Sequence, residues 1–338
     1  MSILELSFAS GESSLSVRRF AVSERLSEPF QISILARSPN EDIDLDSIVG
    51  KPALFRITSG VTGALVGSRL WTGVCSAMRQ VRVEPAGLST YALTLVPSLW
   101  LLTQRRGNRL YQHLSIPDIV DRLLGEWQIE PVWRVDRGRY PKLELRVQYG
   151  ETDHAFFCRL LEEAGITFLF EDDFEKGSRL VLADAPQAAE VRAGGPLPFL
   201  DAPDAAQAGE MEYLTGVEIG QEVRPGRMTI RDFDFRRPAF PLFGEAASGA
   251  GVEAFLEQYH HEPGAMLVEG GAGGDTPVAD DKGVARFEQG AGHGLAGRAL
   301  AGARASRRSV SFRTNAIDLA PGVTFSMRDH ARADLAPG

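Results

Sequence analysis

Hydrophobic and polar positions alternate with a period of two along the first hundred residues. Leu4, Leu6 and Phe8 are separated by polar residues, and the same alternation, rich in aromatic and β-branched side chains, returns at residues 15–22, 30–35, 54–58, 69–74 and 91–96. Glycines between these stretches are typical of turns. Because antiparallel strands must hide their edges, the pattern predicts hairpins that form a closed or nearly closed small β-barrel.

The period changes to that of a helix at residues 115–127. Its apolar residues recur three and four positions apart and therefore share one helix face: Ile116, Ile119, Val120, Leu123, Leu124 and Trp127. Ser115 suits the N-cap and Asp118 the third helical position. A helix of this length is marginal alone, so we expect its apolar face to pack on a sheet or another helix.

A second helix is predicted at residues 152–164, and it leads directly into a β-hairpin that ends at residue 183. Thr152 can cap the helix and Gly165 can end it, and Phe156, Phe157 and Leu160 belong to its apolar stripe. Strand patterns follow at residues 166–171 and 179–183, with a polar turn at residues 172–177 between them.

The composition changes beyond residue 184. Residues 185–209 are rich in Ala, Pro and Gly and are typical of a connector, and strand patterns return at residues 213–219, 227–235, 309–313 and 323–327. Residues 244–303 contain 14 of the 35 glycines, so we expect loops with short ordered pieces at 252–260 and 281–289. Residues 290–303 would make a poor isolated helix, because each interior glycine costs about 1 kcal/mol relative to alanine.

The charge balance and the two cysteines exclude some classes of function. A net charge of -9 argues against a nucleic-acid-binding protein, which needs a basic face. Cys75 and Cys158 lie in strand-like and helix-like stretches, where buried free thiols in a reducing compartment are the favoured interpretation, with a disulfide or a catalytic thiol as alternatives. Neither a Sec-type signal nor an apolar run of about 20 residues is present.

The groups that could carry chemistry each have a plainer alternative. His260 and His261 beside Glu262 could bind a metal, but adjacent residues on a strand point to opposite faces, so a polar strand end is favoured. The acidic group at Glu171, Asp172, Asp173 and Glu175 could be paired catalytic carboxylates, but its position between two strands favours a solvated hairpin tip.

Three further groups are interpreted in the same way. Glu162 and Glu163 close a helix and are expected to face water. The glycines at positions 270, 271, 273 and 274 lack the Lys-Ser/Thr of a phosphate-binding loop, so a flexible loop is favoured. Arg304, Arg307 and Arg308 suggest a solvated basic loop, or alternatively a docking patch. We therefore predict no catalytic, cofactor-binding or metal site, and an assembling structural module rather than an enzyme.

Two long segments, residues 96–112 (VPSLWLLTQRRGNRLYQ) and residues 147–171 (VQYGETDHAFFCRLLEEAGITFLFE), resemble VgrG spike proteins of type VI secretion systems. The first is similar to the segment that follows the first barrel in that family, and the second to its helix–hairpin signature. Residues 182–184, 232–238 and 319–322 add shorter matches. The chain departs from the family pattern at residues 259–264, where a glycine-rich segment follows, and at Ala331, where the family tends to have proline.

The resemblance implies a β-rich α+β fold like the hub of contractile phage tails, with two small antiparallel β-barrels and an inserted α/β part. The implied divisions are a first barrel at residues 1–100, a helix and helix–hairpin region at 101–184, and a second barrel at 185–338. That second barrel is expected to be incomplete at Gly338, where the family continues into a spike. Whether such a spike or a toxin follows stays open at this stage.

The resemblance also implies a role and partners. Three chains would form a ring that joins an Hcp-type hexameric tube to a membrane-puncturing spike, together with baseplate components and tip proteins or effectors. Such a protein would assemble in the cytoplasm and be ejected without a signal peptide, and nucleic acid is not an expected partner. The hub of a contractile phage tail is the near alternative, and an effector enzyme a more distant one.

Overall fold

The first hundred residues form one curled sheet. The computed structural model describes residues 4–61, 65–83, 87–189, 191–204, 210–235, 238–239, 241–268 and 289–335. The sheet has six strands, all antiparallel to their neighbours, in the order β1-β4-β5-β6-β3-β2. Their bounds are β1 Leu4–Phe8, β2 Ser16–Ser23, β3 Gln31–Ser38, β4 Pro52–Val61, β5 Leu65–Arg82 and β6 Ser89–Val96. All six predicted strands are confirmed.

The curl of this sheet encloses a hydrophobic core. Phe30, Ile32, Phe55 and Tyr91 are almost fully buried inside it. The edge strands β1 and β2 approach each other without pairing, so the sheet is a barrel left open at one seam. The sheet thereby buries one face and presents the other to solvent, which the alternation of its sequence requires.

The middle of the chain is mixed α and β. Its elements are β7 Arg106–Leu114, α1 Ile116–Gly125, β8 Val132–Arg134, β9 Leu143–Thr152, α2 Asp153–Ala164, β10 Thr167–Asp173 and β11 Gly177–Ala183. Strands β7 and β9 form an antiparallel two-stranded ribbon, and β10, β11 and β8 form a small sheet. Both helices share one core with these strands.

The predicted helix caps are confirmed. Ser115 Oγ accepts a 3.3 Å hydrogen bond from the amide of Asp118, whose carboxylate accepts one in return from the amide of Ser115. Thr152 Oγ1 accepts from the amide of Ala155. Gly165 ends α2 with φ +70°, a left-handed conformation that favours glycine.

In its described residues, the last part of the chain contains small sheets and a glycine-rich helix. The elements are β12 Leu197–Pro198, β13 Leu214–Gln221, β14 Arg227–Asp232, β15 Leu242–Ala247, β16 Glu257–His261, α3 Gln289–Arg304, β17 Arg308–Thr314 and β18 Met327–Arg328. The strands pair as β15-β14-β16, β13-β17 and β12-β18. The predicted division of the chain at residues 100 and 184 stays a prediction.

The glycine-rich helix α3 forms because it packs against a sheet. Ala296 and Leu300 are buried against β14 and β15. A Cβ on Gly244 would lie 2.0 Å from the carbonyl oxygen of Gly292, so the glycines allow strand and helix backbones to approach closely. Tertiary packing therefore offsets the low helix propensity on which the sequence-based expectation rested. No helix among the described residues is long and apolar enough to cross a membrane.

Candidate assembly surfaces

The histidine pair ends an edge strand. His260 and His261 are the last residues of β16, and every residue of that strand is exposed. Among the described residues, no group of three His, Cys, Asp or Glu side chains could hold a metal ion. The interpretation as a polar strand end agrees with this position. The glycine run at 270–274 and most of the short piece predicted at 281–289 lie outside the described residues.

The acidic group at 171–175 belongs to the predicted hairpin, but the interpretation as a wholly solvated tip was wrong for Asp172. Its Oδ2 accepts a 2.7 Å hydrogen bond from Arg69 Nε and a 3.1 Å bond from the amide of Leu70, and its side chain is only 15% exposed. Asp172 is drawn inward because Arg69, buried on β5, needs carboxylate partners in a site of low dielectric.

The carboxylates beside Asp172 form hydrogen bonds with nearby groups. Glu171 forms two hydrogen bonds, of 2.5 and 2.7 Å, with the guanidinium of Arg134 on β8. Hydrogen bonds from the amides of Lys176 and Glu175 hold the pKa of Asp173 below its usual value. These arrangements stabilise the hairpin and do not resemble a pair of carboxylates aimed at a substrate.

The contact between hairpin and curled sheet is built around Arg69. Its Nη2 donates a 2.9 Å hydrogen bond to Glu24 Oε1, which also accepts from the indole Nε1 of Trp71 at 2.8 Å. The guanidinium lies over the Trp71 ring, 4.6 Å from its centroid. Phe170 of the hairpin meets Phe30 of the sheet edge to face, with ring centroids 5.1 Å apart. The hairpin is therefore held rigidly against the sheet.

A second buried carboxylate, Asp153, organises the start of α2. Its side chain is fully buried and accepts hydrogen bonds from Arg105, Arg109, Gln148 and Trp127. Burial works to raise the pKa of Asp153, but these hydrogen bonds outweigh burial and hold the pKa below its usual value.

The arginines at 304 and 307 form neither a solvated loop nor a free docking patch, so both interpretations were wrong. Arg304 Nη2 and Arg307 Nε donate to Glu253, whose side chain is 8% exposed. Hydrogen bonds, chiefly from Arg304, lower the pKa of Glu253 to about 2. Arg308 instead pairs with Asp334. A buried carboxylate distant in sequence attracts the two guanidinium groups, and local sequence does not reveal such a partner.

One of the helix-closing glutamates was also misplaced by sequence reasoning. Glu162 is exposed as expected. Glu163 is partly buried, and its Oε2 lies 3.1 Å from Nη2 of Arg146, which is itself buried. This ion pair joins the end of α2 to β9.

Both cysteines are free thiols, as predicted. Cys75 is fully buried and Cys158 partly so. Burial raises the pKa of each thiol to about 11. Thiolate is the reactive form, so neither cysteine is suited to nucleophilic chemistry at neutral pH.

The ribbon of β7 and β9 has an inverted arrangement of polar and apolar residues. Its inward face carries Arg146 and Gln148, both buried, together with Tyr111. The solvent face carries adjacent large apolar side chains, with exposed fractions of 61% for Leu110, 40% for Leu145, 38% for Val147 and 84% for Tyr149. A contiguous exposed apolar face marks an interaction surface. We name these four residues the ribbon face.

Sequence reasoning missed the ribbon face, although a signal was present. Leu145, Val147 and Tyr149 alternate with Arg146 and Gln148. Such alternation is ordinarily interpreted as apolar side inward. Here the Asp153 network attracts Gln148, and Glu163 attracts Arg146, so the polar side faces the interior.

Comparison with known protein families identifies the family of this chain. The family model described as the phage tail baseplate hub (GPD) matches residues 23–338. The chain belongs to the phage tail baseplate hub family. This membership agrees with the curled sheet and with the small sheets that follow it.

Individual relatives of this hub chain are spike proteins. It is 31% identical to the type VI secretion system spike protein VgrG4b of Pseudomonas aeruginosa, over 75% of this chain and 30% of that protein. It is 29% identical to VgrG2a of the same organism, over 98% of this chain and 36% of that protein. The predicted resemblance to VgrG proteins is confirmed, and the hub chain spans about a third of the length of these relatives.

Solved structures confirm the hub-like fold. The E. coli c3393 protein, described as a type VI secretion component similar in structure to T4 bacteriophage tail proteins gp27 and gp5, superposes with a TM-score of 0.51 and 27% identity. The superposition covers 65% of this chain and 56% of that one. A tail protein from Neisseria meningitidis MC58 gives a TM-score of 0.56 at 13% identity, over 92% of this chain and 79% of that one.

Proposed function

We propose that this chain is the hub portion of a type VI secretion spike, in which three copies form a ring between an Hcp-type hexameric tube and a membrane-puncturing spike. The observation that carries this proposal is the match to the baseplate hub family over residues 23–338. Identities of 29–31% to VgrG proteins favour a secretion spike over a phage tail. The hub is a structural part and not an enzyme.

The ribbon face supports a role in assembly. Large apolar side chains on a rigid support lose little conformational entropy when a partner covers them, so their burial stabilises an interface efficiently. The Asp153 network beneath the ribbon supplies that rigidity. We propose that the ribbon face is buried between copies in the assembled hub.

Domain organisation and location follow from the same role. Residues 1–100 are the first barrel, residues 101–184 the inserted region and residues 185–338 the part that would build the second barrel. The hub assembles on a baseplate in the cytoplasm and leaves the cell with the spike when the sheath contracts. Tip proteins or effectors would be carried by the spike and not by the hub surfaces described here.

Binding to the tube tests this function. Hexamers of the Hcp-type protein from the same bacterium, immobilised on a biosensor, should bind the hub in a ratio of one trimer per hexamer. The matched control is a monomeric Hcp variant, which should bind at least tenfold more weakly because the ring contacts several subunits at once. A hub with no measurable affinity for the hexamer would contradict the proposed role.

A further inference from the structure

A groove crosses the outer face of the six-stranded sheet. Its volume is about 670 Å³. A β-bulge adjoins it on each side, between Val17 and Arg19 in β2 and between Cys75 and Ala77 in β5. A bulge bends its strand, so the two bulges account for the indentation of this face.

Two cross-strand rows of side chains line the groove. One row runs across β2, β3, β6 and β5 as Arg19, Leu35, Ala92 and Arg79, and the parallel row has the smaller Ala21, Ser33, Thr94 and Ala77. Four strands span about 14 Å. The floor therefore consists of Leu35 and of small side chains, with one arginine on each wall.

The two arginines are uncompensated. Arg19 and Arg79 are exposed, and neither has a hydrogen-bond or ion-pair partner among the described residues. The groove therefore presents two free positive charges in a chain whose net charge is -9.

The complementary surface lies on the same chain, in the loop between β3 and β4. Residues 39–50 contain four carboxylates and no basic residue. Glu41, Asp42, Asp44 and Asp46 are all exposed, and none forms an ion pair with a described residue. We name these four residues the acidic loop.

The acidic loop cannot occupy the groove of its own chain. Gln80 Nε2 donates a 2.6 Å hydrogen bond to the carbonyl of Glu41, and the Tyr91 hydroxyl donates one of 2.9 Å to the carbonyl of Asn40. These bonds hold the loop on the face to which Gln80 points. Adjacent strand residues point to opposite faces, so Arg79 lies on the other side of the sheet.

We propose that the acidic loop of one copy binds in the groove of the next copy, with its carboxylates paired to Arg19 and Arg79. The contact rests on the proposed function, since it is heterologous and closes only when the copies form a ring. It also assigns a direction to the ring, because every copy gives its loop to one neighbour and its groove to the other.

Paired charge reversals test this contact in the full chain. Arg19→Glu with Arg79→Glu reverses the charge of the groove, and Asp42→Lys with Asp46→Lys cancels the charge of the acidic loop, because two lysines then balance Glu41 and Asp44. Each double variant should raise the dissociation constant of the trimer at least tenfold, measured by sedimentation velocity. Arg18→Glu, at an exposed position beside Arg19, is the matched control and should leave the constant within about twofold of wild type.

Mixing the variants makes the test specific. The groove variant and the loop variant should form a heterodimer when combined, because the intact acidic loop of the first meets the intact arginines of the second, and this association should weaken as salt rises. If both double variants form trimers with the dissociation constant of wild type, the loop–groove contact is overturned and the hub proposal stays intact. A wild-type chain that is monomeric at every concentration would overturn both.

Discussion

Arg69 Nε donates a 2.7 Å hydrogen bond to Asp172 Oδ2 across 103 residues of sequence. The bond joins β5 of the curled sheet to the β10–β11 hairpin of the inserted region. Both side chains are largely buried, and Glu24 completes the charge balance at Arg69. The relative position of these two regions, on which any shared assembly surface depends, is therefore fixed by a polar contact.

Replacement of Asp172 should loosen this junction. Asp172→Ala leaves the buried Arg69 with one carboxylate instead of two, and we expect a loss of about 3 kcal/mol in the free energy of unfolding. Urea denaturation followed by tryptophan fluorescence measures the loss. Glu171→Ala, which breaks the adjacent solvent-facing pair with Arg134, is the control and should cost less than about 1 kcal/mol. Equal losses in the two variants would contradict the account.

Acid should destabilise the chain through Asp153 and Glu253. The folded-state pKa of each carboxyl is lowered, for Glu253 from 4.5 to about 2. The stability that each contributes is therefore complete above its ordinary pKa and is lost as the pH falls through the folded value. Urea midpoints measured between pH 7 and pH 2.5 should fall steeply below pH 4.5.

Variants assign this acid sensitivity to the two residues. Asp153→Asn and Glu253→Gln should be less stable than wild type at pH 7, and the difference should narrow as the pH falls, because the carboxyl groups of the unfolded wild-type chain take up protons before those of the folded chain do. A difference from wild type that stayed constant down to pH 2.5 would show that these carboxylates do not account for the acid sensitivity.

Two glycine substitutions should have opposite effects on α3. Gly244→Ala places a methyl group 2.0 Å from the carbonyl oxygen of Gly292 and should destabilise the chain by at least about 2 kcal/mol. Gly297→Ala, within the same helix, meets no atom within 4 Å and should stabilise it by about 0.5–1 kcal/mol. Thermal unfolding by circular dichroism compares them, and a stabilising Gly244→Ala would contradict the close packing of α3 on β15.

Substitutions at two adjacent residues of β7 should affect self-association and folding stability differently. Leu110→Ser removes a side chain that is 61% exposed and should weaken self-association at least fivefold with little change in melting temperature. Tyr111→Ser, on the buried side of the same strand, removes a ring stacked on Phe156 and should cost about 3–5 kcal/mol. Unchanged association of Leu110→Ser would mean that the ribbon face is not an interface.

The features of the fold that depend on local pattern could be predicted from sequence. Period-two alternation located the six strands of the curled sheet, and Ser115, Thr152 and Gly165 marked helix ends correctly. Both signals depend only on residues that are close together in sequence. The resemblance at residues 96–112 and 147–171 indicated the hub family. These inferences required no knowledge of contacts between distant segments.

Contacts between distant residues could not be predicted in the same way. Asp172 and Arg304 were interpreted as solvated because their partners, Arg69 and Glu253, are 103 and 51 residues away. The helix α3 is stabilised by packing against a sheet whose backbone it approaches closely at Gly244. The ribbon face was missed because the buried partners of Arg146 and Gln148 reverse the usual direction of an amphipathic strand.

The mass of the chain in solution tests the central claim most directly. Sedimentation equilibrium between about 1 and 100 µM, a range that spans the dissociation constants of typical subunit interfaces, should give a species of three times the chain mass that grows with concentration. The same experiment on the Leu110→Ser variant should shift that growth to higher concentration. A single species of one chain mass across the whole range would contradict the assignment of this chain as an assembling hub.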